Sequence, residues 1–460
     1  MQGWMGRFFG KTAPAGEPPV FASGRDDYDV AYRKAIADIA GDVVRGKFIA
    51  GLTWNQLWTR DTAYAVDAGA GLVHPGVAMA TLRDMAKRGR YGVVWRQDSC
   101  GHFGGWPNLT DAIVGAVGAW SVYTASGDQE FLRWSHDVTK NTLARAEREV
   151  FDSSSGLFTG CSTFMESNSG YPGKYAHKGS LVGKTKALST NLLHYRGYVL
   201  AARMGRLLGQ DVGSFEVKAG KLKDAINTRL WWQDKGYYAY YEDEDGVASD
   251  RMEATGESFA ILWGVADSVK AASILANTPT TPHGIPSLWP QYPEWTDYSK
   301  RSDSDFYHNG TVWPFVQAYW ARAAVSQRDI VRFGAELDSL LELSKKDTTF
   351  SEFYLPEDGK PGGSPRQLWS AAGYLSMVHH GLFGMDFEAD SIRFAPVVPP
   401  GFDGLSLTGL RYRGMTLNLA VAGSGVEAVR FELDGEPRDD PSIPSDLTGV
   451  HEVVISLVDS

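Results

Sequence analysis

Two glutamates, Glu352 and Glu166, stand in settings suited to acid–base chemistry. Glu352 lies in Ser-Glu-Phe-Tyr, just before a turn-forming run (Pro356, Gly359, Pro361, Gly362, Gly363, Pro365) and an apolar helix opening near Gln367-Leu368-Trp369. That order makes an acid held on a rigid base and pointed into a cleft. Glu166 lies far upstream in GCSTFMESNSGYPGKY, a Gly/Ser-rich loop ahead of another apolar helix. One loop glutamate alone is ordinarily a surface residue. Two on loops of one cleft are what cleavage of a glycosidic bond requires: a neutral acid to protonate the leaving oxygen and an ionised base to activate water. Spacing along the chain does not give their separation in space.

Other polar clusters carry two readings each. Trp58-Thr59-Arg60-Asp61 is either a charged fork beneath an indole, able to grip adjacent hydroxyls, or a salt bridge at a helix start. Asp111, after Gly104-Gly105-Trp106-Pro107, is either a ligand contact or a helix N-terminal acid. His308, in Tyr307-His308-Asn309-Gly310, has no second histidine at ligand spacing, and the adjacent His379 and His380 point to different helix faces. No metal and no cofactor are expected, since phosphate loops and Gly-x-Ser-x-Gly elbows are also missing. The acidic run Glu242–Asp245 lacks calcium-loop spacing and reads as a solvated hairpin turn at Asp245-Gly246, within a hairpin over residues 237–250. Cys100 and Cys161 could pair, though sequence cannot bring them together.

The elements behind these residues are mostly helices. Apolar residues three and four apart predict twelve: 27–44, 60–72, 75–88, 110–124, 128–150, 186–208, 214–230, 254–264, 267–276, 310–325, 327–345 and 366–383. Pro75 suits a first helical position and Asp128 a cap. Connections alternate short and long, and the long ones (45–59, 89–109, 151–185, 277–309, 346–365) mostly carry Trp, His, Asp, Glu and Gly. Such loops would emerge together at one end of a helical toroid, a ring of six hairpins. After Asp390 the pattern changes to strands, a small antiparallel β domain. The expected organisation is therefore a lead-in (1–24), an (α/α)6 barrel (25–388) and a β domain (389–460).

Composition limits the partners. A net charge of -10 over 460 residues argues against nucleic acid or an anionic membrane surface. No apolar run reaches membrane-span length, and the start, MQGWMGRFFGKTAPAGEPP, lacks the apolar core of a signal peptide. A cytoplasmic or periplasmic protein is expected. The 15 tryptophans and 12% aromatic content supply flat faces suited to sugar rings, so a small carbohydrate is the expected partner.

Several segments together resemble the six-hairpin glycosidases. TWNQLWTRDTAYAV resembles the Trp-x-Arg-Asp element of glucoamylase-like enzymes. CSTFMES resembles the acid-bearing loop of the amylo-1,6-glucosidase half of glycogen debranching enzymes and of alkaline/neutral invertases, although their carboxylate is Asp. YHNGTVWPF and SEFYLPEDGKPGGSPRQLWSAAGYL resemble further elements of those families, and SIRFAPVVPPGFDGLSLTGLRYRG their β appendage. The resemblance implies an inverting, exo-acting glycoside hydrolase releasing a terminal α-linked glucose-type residue. Glu166 would be the acid and Glu352 the base, about 6.5–9.5 Å apart for inversion. Trp58, Arg60, Asp61 and His308 would hold the terminal ring, with Trp106, Asp111, Lys184 and Asn309 as further contacts. Trp313 belongs to the third element, and Gln367 and Trp369 support the base. Phosphorolysis and polysaccharide lysis on the same toroid are the alternatives, followed by a sugar-binding module without turnover. Debranching enzymes carry large N-terminal domains that have no counterpart in this sequence.

Overall fold

The computed structural model describes residues 17–97, 105–166, 168–175, 178–296, 306–402 and 404–458. Among these, twelve helices are seven residues or longer: α1 (Asp26–Gly41), α2 (Thr59–Ala65), α3 (Pro75–Asp84), α4 (Gly115–Ser126), α5 (Gln129–Glu149), α6 (Leu188–Leu207), α7 (Gly213–Arg229), α8 (Ala254–Leu262), α9 (Ser268–Asn277), α10 (Pro314–Ser326), α11 (Ile330–Ser344) and α12 (Leu368–Ser376). Their starts follow local chemistry. Asp128, Asp267 and Asp329 each accept a backbone N–H three residues on. Pro75 and Pro314 occupy first positions.

Burial divides the helices into two kinds. In α12 every residue is buried, and in α8 all but Leu262. In α7 only Ala219, Leu222 and Ile226 are, a single stripe. The more deeply buried helices pack in succession, α2 on α4, α4 on α6, α6 on α8, α8 on α10, α10 on α12, and α12 back on α2. The striped helices lie outside them: α5 on α4 and α6, α7 on α6, α11 on α10, and α1 on α12. Glycine lets two of the inner contacts close up. A Cβ at Gly118 would come within 2.9 Å of Ala63 Cα, and one at Gly373 within 2.8 Å of the Pro314 carbonyl oxygen.

The inner helices enter the ring at the same end. Ala254 N donates to Ser287 O, Ser287 N to Thr311 O, and Val312 and Tyr354 exchange backbone bonds. Gln367 N donates to Phe350 O and Leu368 N to Ala50 O. At the opposite end, α2 and α12 each continue into a π-helical turn, Val66–Ala70 and Met377–Leu382.

Three expectations need correction. The C-terminal sheet is mixed, because Met415–Ala422 pairs in parallel with Gly449–Leu457. The chain between them turns back through Ala428–Leu433, which pairs antiparallel with Gly449–Leu457 from its other side. An edge of the sheet comes from the other terminus, where Val20–Ala22 pairs with Leu405–Tyr412. The hairpin over 237–250 is split. Tyr237–Tyr238 pairs with Trp231–Trp232, and Tyr241–Glu242 pairs with Lys186–Ala187. A bridge between Glu242 and Ala248 closes the Asp245-Gly246 turn. Its acidic run is not simply solvated: Glu242 is buried between Lys186 and Arg229, at 3.0 and 2.6 Å. Cys161 is buried, whereas Cys100 lies outside the described residues. No described helix is long and apolar enough to cross a membrane.

Candidate active site

The polar residues singled out by the sequence collect where the inner helices begin. Arg60 and Asp61 form the first turn of α2, and Gln367 precedes α12. Asp111 opens a 3-10 turn leading into α4, Ser189 lies in the first turn of α6, and Glu253 precedes α8. His308 to Trp313 lead into α10. Loop glutamates are thus brought against residues whose backbones are fixed by helix starts.

Glu166 meets Arg60 fork to fork. Arg60 Nη2 donates to Glu166 Oε1 at 2.6 Å and Nη1 to Oε2 at 3.0 Å, while Nη1 also donates to Thr163 O at 2.9 Å. The Arg60 guanidinium lies 5.4 Å from the Trp58 ring centroid, and its Nε is 3.7 Å from Asp61 Oδ2. Asp61 Oδ1 accepts from Gln367 Nε2 at 3.1 Å. The loop carrying Glu166 is anchored from below. Thr163 Oγ1 donates to Asp111 Oδ2 at 2.7 Å, Thr163 N to Ser189 Oγ at 3.1 Å, and Ser189 Oγ to Glu253 Oε1 at 2.7 Å. Phe164 packs edge-on against His308, Trp313 and Phe315. These bonds hold the backbone, leaving the Glu166 side chain 20% exposed.

Glu352 is the more enclosed of the two, only 2% exposed. It ends a short two-stranded ribbon in which Phe353–Tyr354 pairs with Pro361–Gly362. The turn-forming run predicted before α12 thus folds back as this second strand. Three donors converge on the carboxylate: Trp54 Nε1 at 3.0 Å to each oxygen, Ser364 N at 2.7 Å, and the Tyr307 hydroxyl. Trp313 stacks beneath on Phe353 and His308, and Trp369 stacks on Phe315 with centroids 4.2 Å apart.

Electrostatics tie the groups together. Burial raises the Glu352 carboxyl above its ordinary value, while Tyr307, Ser364, Trp54 and the Arg60 charge pull it back. Burial pushes Asp61 up to about 7; Arg60 opposes this, and the charges of both Glu352 and Glu166 add to it. Asp111 is likewise raised to about 7 by burial, against Arg60 and Thr163. Tyr307 is raised by burial and then by Glu352, Glu166 and Asp61. His308 is held well below its usual range by burial and by Arg60, so its ring is neutral. Asp61 thus interacts with both distant glutamates, and Arg60 with each of them in turn.

Not every expected residue joins this group. Lys184 pairs with Glu244 at 2.7 Å, its side chain 56% exposed. Trp106 lies under Arg145, whose guanidinium is 3.8 Å from its ring centroid. Asn309 is fully buried and spends its amide on the backbone of Tyr292, at 2.7 and 3.0 Å. Trp54, Tyr307, Thr163, Ser364 and Glu253 are additions that sequence reading did not single out. Trp54 and Tyr307 lay inside segments whose pattern was recognised, next to residues that were chosen.

Comparison with known proteins follows the same lines. A mannosylglycerate hydrolase of Rubrobacter radiotolerans is 28% identical over 196 residues, 39% of this chain and 40% of that protein. A solved sialidase structure superposes with a TM-score of 0.71 at 15% identity, over 93% of this chain and 41% of its own. This chain therefore matches less than half the length of either. The GH63 mannosylglycerate hydrolase of Thermus thermophilus, solved with Tris, matches 76% of this chain and all of its own at TM-score 0.62 and 15% identity. Residues 385–439 match the C-terminal domain of glycosyl hydrolase family 65. The narrower likeness to debranching enzymes, invertases and glucoamylase-like enzymes stays an expectation of motif pattern. The model described as the mannosylglycerate hydrolase MGH1-like glycoside hydrolase domain matches residues 55–370, more than half of the chain, and the chain belongs to that family.

Proposed function

We propose that this chain is an inverting, exo-acting glycoside hydrolase whose ring of helices is an (α/α)6 toroid of six hairpins. Glu166 is its general acid and Glu352 its general base. The observation that carries the reading is the Arg60-Asp61 pair. Arg60 grips Glu166 and also acts on Glu352, while Asp61 feels the charge of both. These links support the reading that two glutamates 186 positions apart in sequence serve one polar cluster at the helix starts.

In this reading Glu352 takes a proton from water. Its donors from Trp54, Ser364 and Tyr307 fix the carboxylate while leaving it acceptor-only. Arg60 and Asp61 hold hydroxyls of the terminal sugar, with Trp58 and His308 at its rim. When those hydroxyls take the hydrogen bonds of Arg60, Glu166 is freed from the ion pair and can carry a proton to the departing oxygen. Water attacks the face opposite the leaving group, which inverts the anomeric carbon. The relatives' names point to mannosylglycerate, a mannose joined to glycerate, as the substrate to try first. A terminal α-glucoside, the sequence expectation, has less behind it.

The test is proton NMR of the first sugar released from mannosylglycerate and from α-glucosides. The expected result is turnover of a small α-glycoside with the β-anomer appearing first. Appearance of the α-anomer first would reject inversion.

A further inference from the structure

The opposite end of the ring holds a second cavity, of about 390 Å³. It is lined by Arg196 at the middle of α6 and Arg203 in its last turns, by Trp263 just past α8 and by Arg322 in the second half of α10. Both π-helical turns also reach it, through Asp67 and His379. Helical rise places Arg322 about 12 Å along α10 from Pro314, and Arg203 about 21 Å along α6 from Ser189. None of its lining residues belongs to the glutamate cluster.

Four arginines line it against three carboxylates, Asp67, Asp386 and Glu388, and Asp386 adds its charge to that felt by Arg322. Arg322 pairs with Asp67 at 2.7 Å, and Tyr319 and Ser121 donate to the same carboxylate. Arg203 reaches Glu388 at 3.4 Å. Arg328 is spent on the carbonyls of Ala395, Pro396 and Val426. Arg196 has no hydrogen bond or ion pair among the described residues, and its Nε is fully buried. Its guanidinium lies over the Trp263 ring, 5.8 Å from the centroid. Burial and the neighbouring Arg203 charge lower the Arg196 guanidinium to about 10, with the Asp67 carboxylate pulling the other way. A half-buried guanidinium with a shielded Nε and no bonded counter-ion among the described residues leaves room for an anion. One structural account is that arginines gather here to meet the carbonyl ends of the helices. Arg328 does bond carbonyls, but Arg196, Arg203 and Arg322 bond none among the described residues, so that account leaves them unexplained. Two π-helical turns at one cavity are a further sign, because such turns recur where side chains are re-aimed toward a ligand.

We propose that this cavity is a second binding site, taking a small organic anion with a carboxylate or phosphate group held by Arg196 together with Arg203 and Arg322. Bidentate oxyanions match the guanidinium fork, and the walls formed by Trp120, Trp263 and Tyr319 suit a short carbon skeleton. Asp67 stays paired with Arg322, leaving Arg196 as the anchoring charge.

Isothermal titration of the full chain with inorganic phosphate and with succinate, at constant ionic strength set with chloride, tests this. The expected result is saturable binding of at least one, the better ligand telling phosphate from carboxylate chemistry. Arg196→Met should weaken it by about tenfold or more, the loss of one charged hydrogen-bonding partner, while glycoside turnover without anion is unchanged. Should Arg196→Met not fold, Arg203→Met serves, with weaker binding expected. No saturable binding of either anion by the wild type, or undiminished binding in the variant, overturns the proposal.

Discussion

Tyr307 is the residue whose role is easiest to isolate. Its hydroxyl donates to Glu352, a contact that lowers the carboxyl otherwise raised by burial. Tyr307→Phe removes that donor while keeping the ring that packs on Trp313 and Phe353. The Glu352 carboxyl then rises further, and the ascending limb of kcat/KM against pH moves to higher pH. Loss of one bond to a charged group lowers kcat/KM by roughly tenfold or somewhat more. A pH–rate profile checks both effects, and an unmoved limb would detach Tyr307 from the base. At this scale the sequence was partly legible. Glu166, Glu352, Arg60, Asp61, Asp111 and Gln367 are joined by contacts or charge, because their segments were recognisable as wholes. Lys184 was not legible as a surface residue, since its partner Glu244 lies 60 positions away in a turn. Glu253 is fully buried at a helix start, where sequence shows only one more acid.

At the scale of elements, the ribbon beneath Glu352 depends on Gly363. This residue has φ of +72°, and a Cβ there would collide with the Glu352 side chain, its own Cβ only 2.8 Å away. Gly363→Ala combines left-handed strain of about 1–2 kcal/mol with displacement of the carboxylate. The expected outcome is loss of turnover beyond tenfold with the far-ultraviolet dichroism of the wild type, since the ribbon is short and lies outside the helices. Full activity in this variant would show that Glu352 need not sit where it does. The twelve helices were readable because the alternation of capped, striped helices with apolar ones is written in composition: GSFEVKAGKLKDAINTR shows one stripe, ATGESFAIL is apolar nearly throughout. The π-helical turns after α2 and α12 were not readable, because they keep the same apolar pattern while one residue is accommodated differently. The parallel strand pair escaped for a related reason: strand pattern gives faces, not partners.

Across the whole molecule, the buried carboxylates set a pH dependence of stability. Burial raises Asp61, Asp111, Glu253 and Glu336 to about 7, from ordinary values of 3.8 for Asp and 4.5 for Glu. A group raised on folding binds its proton more tightly in the folded state. Its contribution is present in full below the unfolded value and is lost as pH rises through the folded one. Glu336 isolates the effect, because it lies on α11 against Gln317 and Ile285 N, apart from the glutamate cluster. Each such group costs roughly 2 kcal/mol between pH 5 and pH 8. Urea unfolding should therefore show a less stable wild type at pH 8 than at pH 5, with a smaller difference in Glu336→Gln. An identical difference in the variant would remove Glu336 from the account.

The division of labour between the two glutamates has its most direct test in one comparison, the hydrolysis of a glycosyl fluoride and of the matching glycoside by Glu166→Gln and Glu352→Gln. Fluoride leaves without being protonated, so an acid is dispensable for it and a base is not. The account predicts that Glu166→Gln loses roughly 10²–10⁴-fold on the glycoside but keeps most of its fluoride hydrolysis, whereas Glu352→Gln loses both. The reverse pattern, or two variants that still cleave the glycoside at wild-type rate, would contradict it.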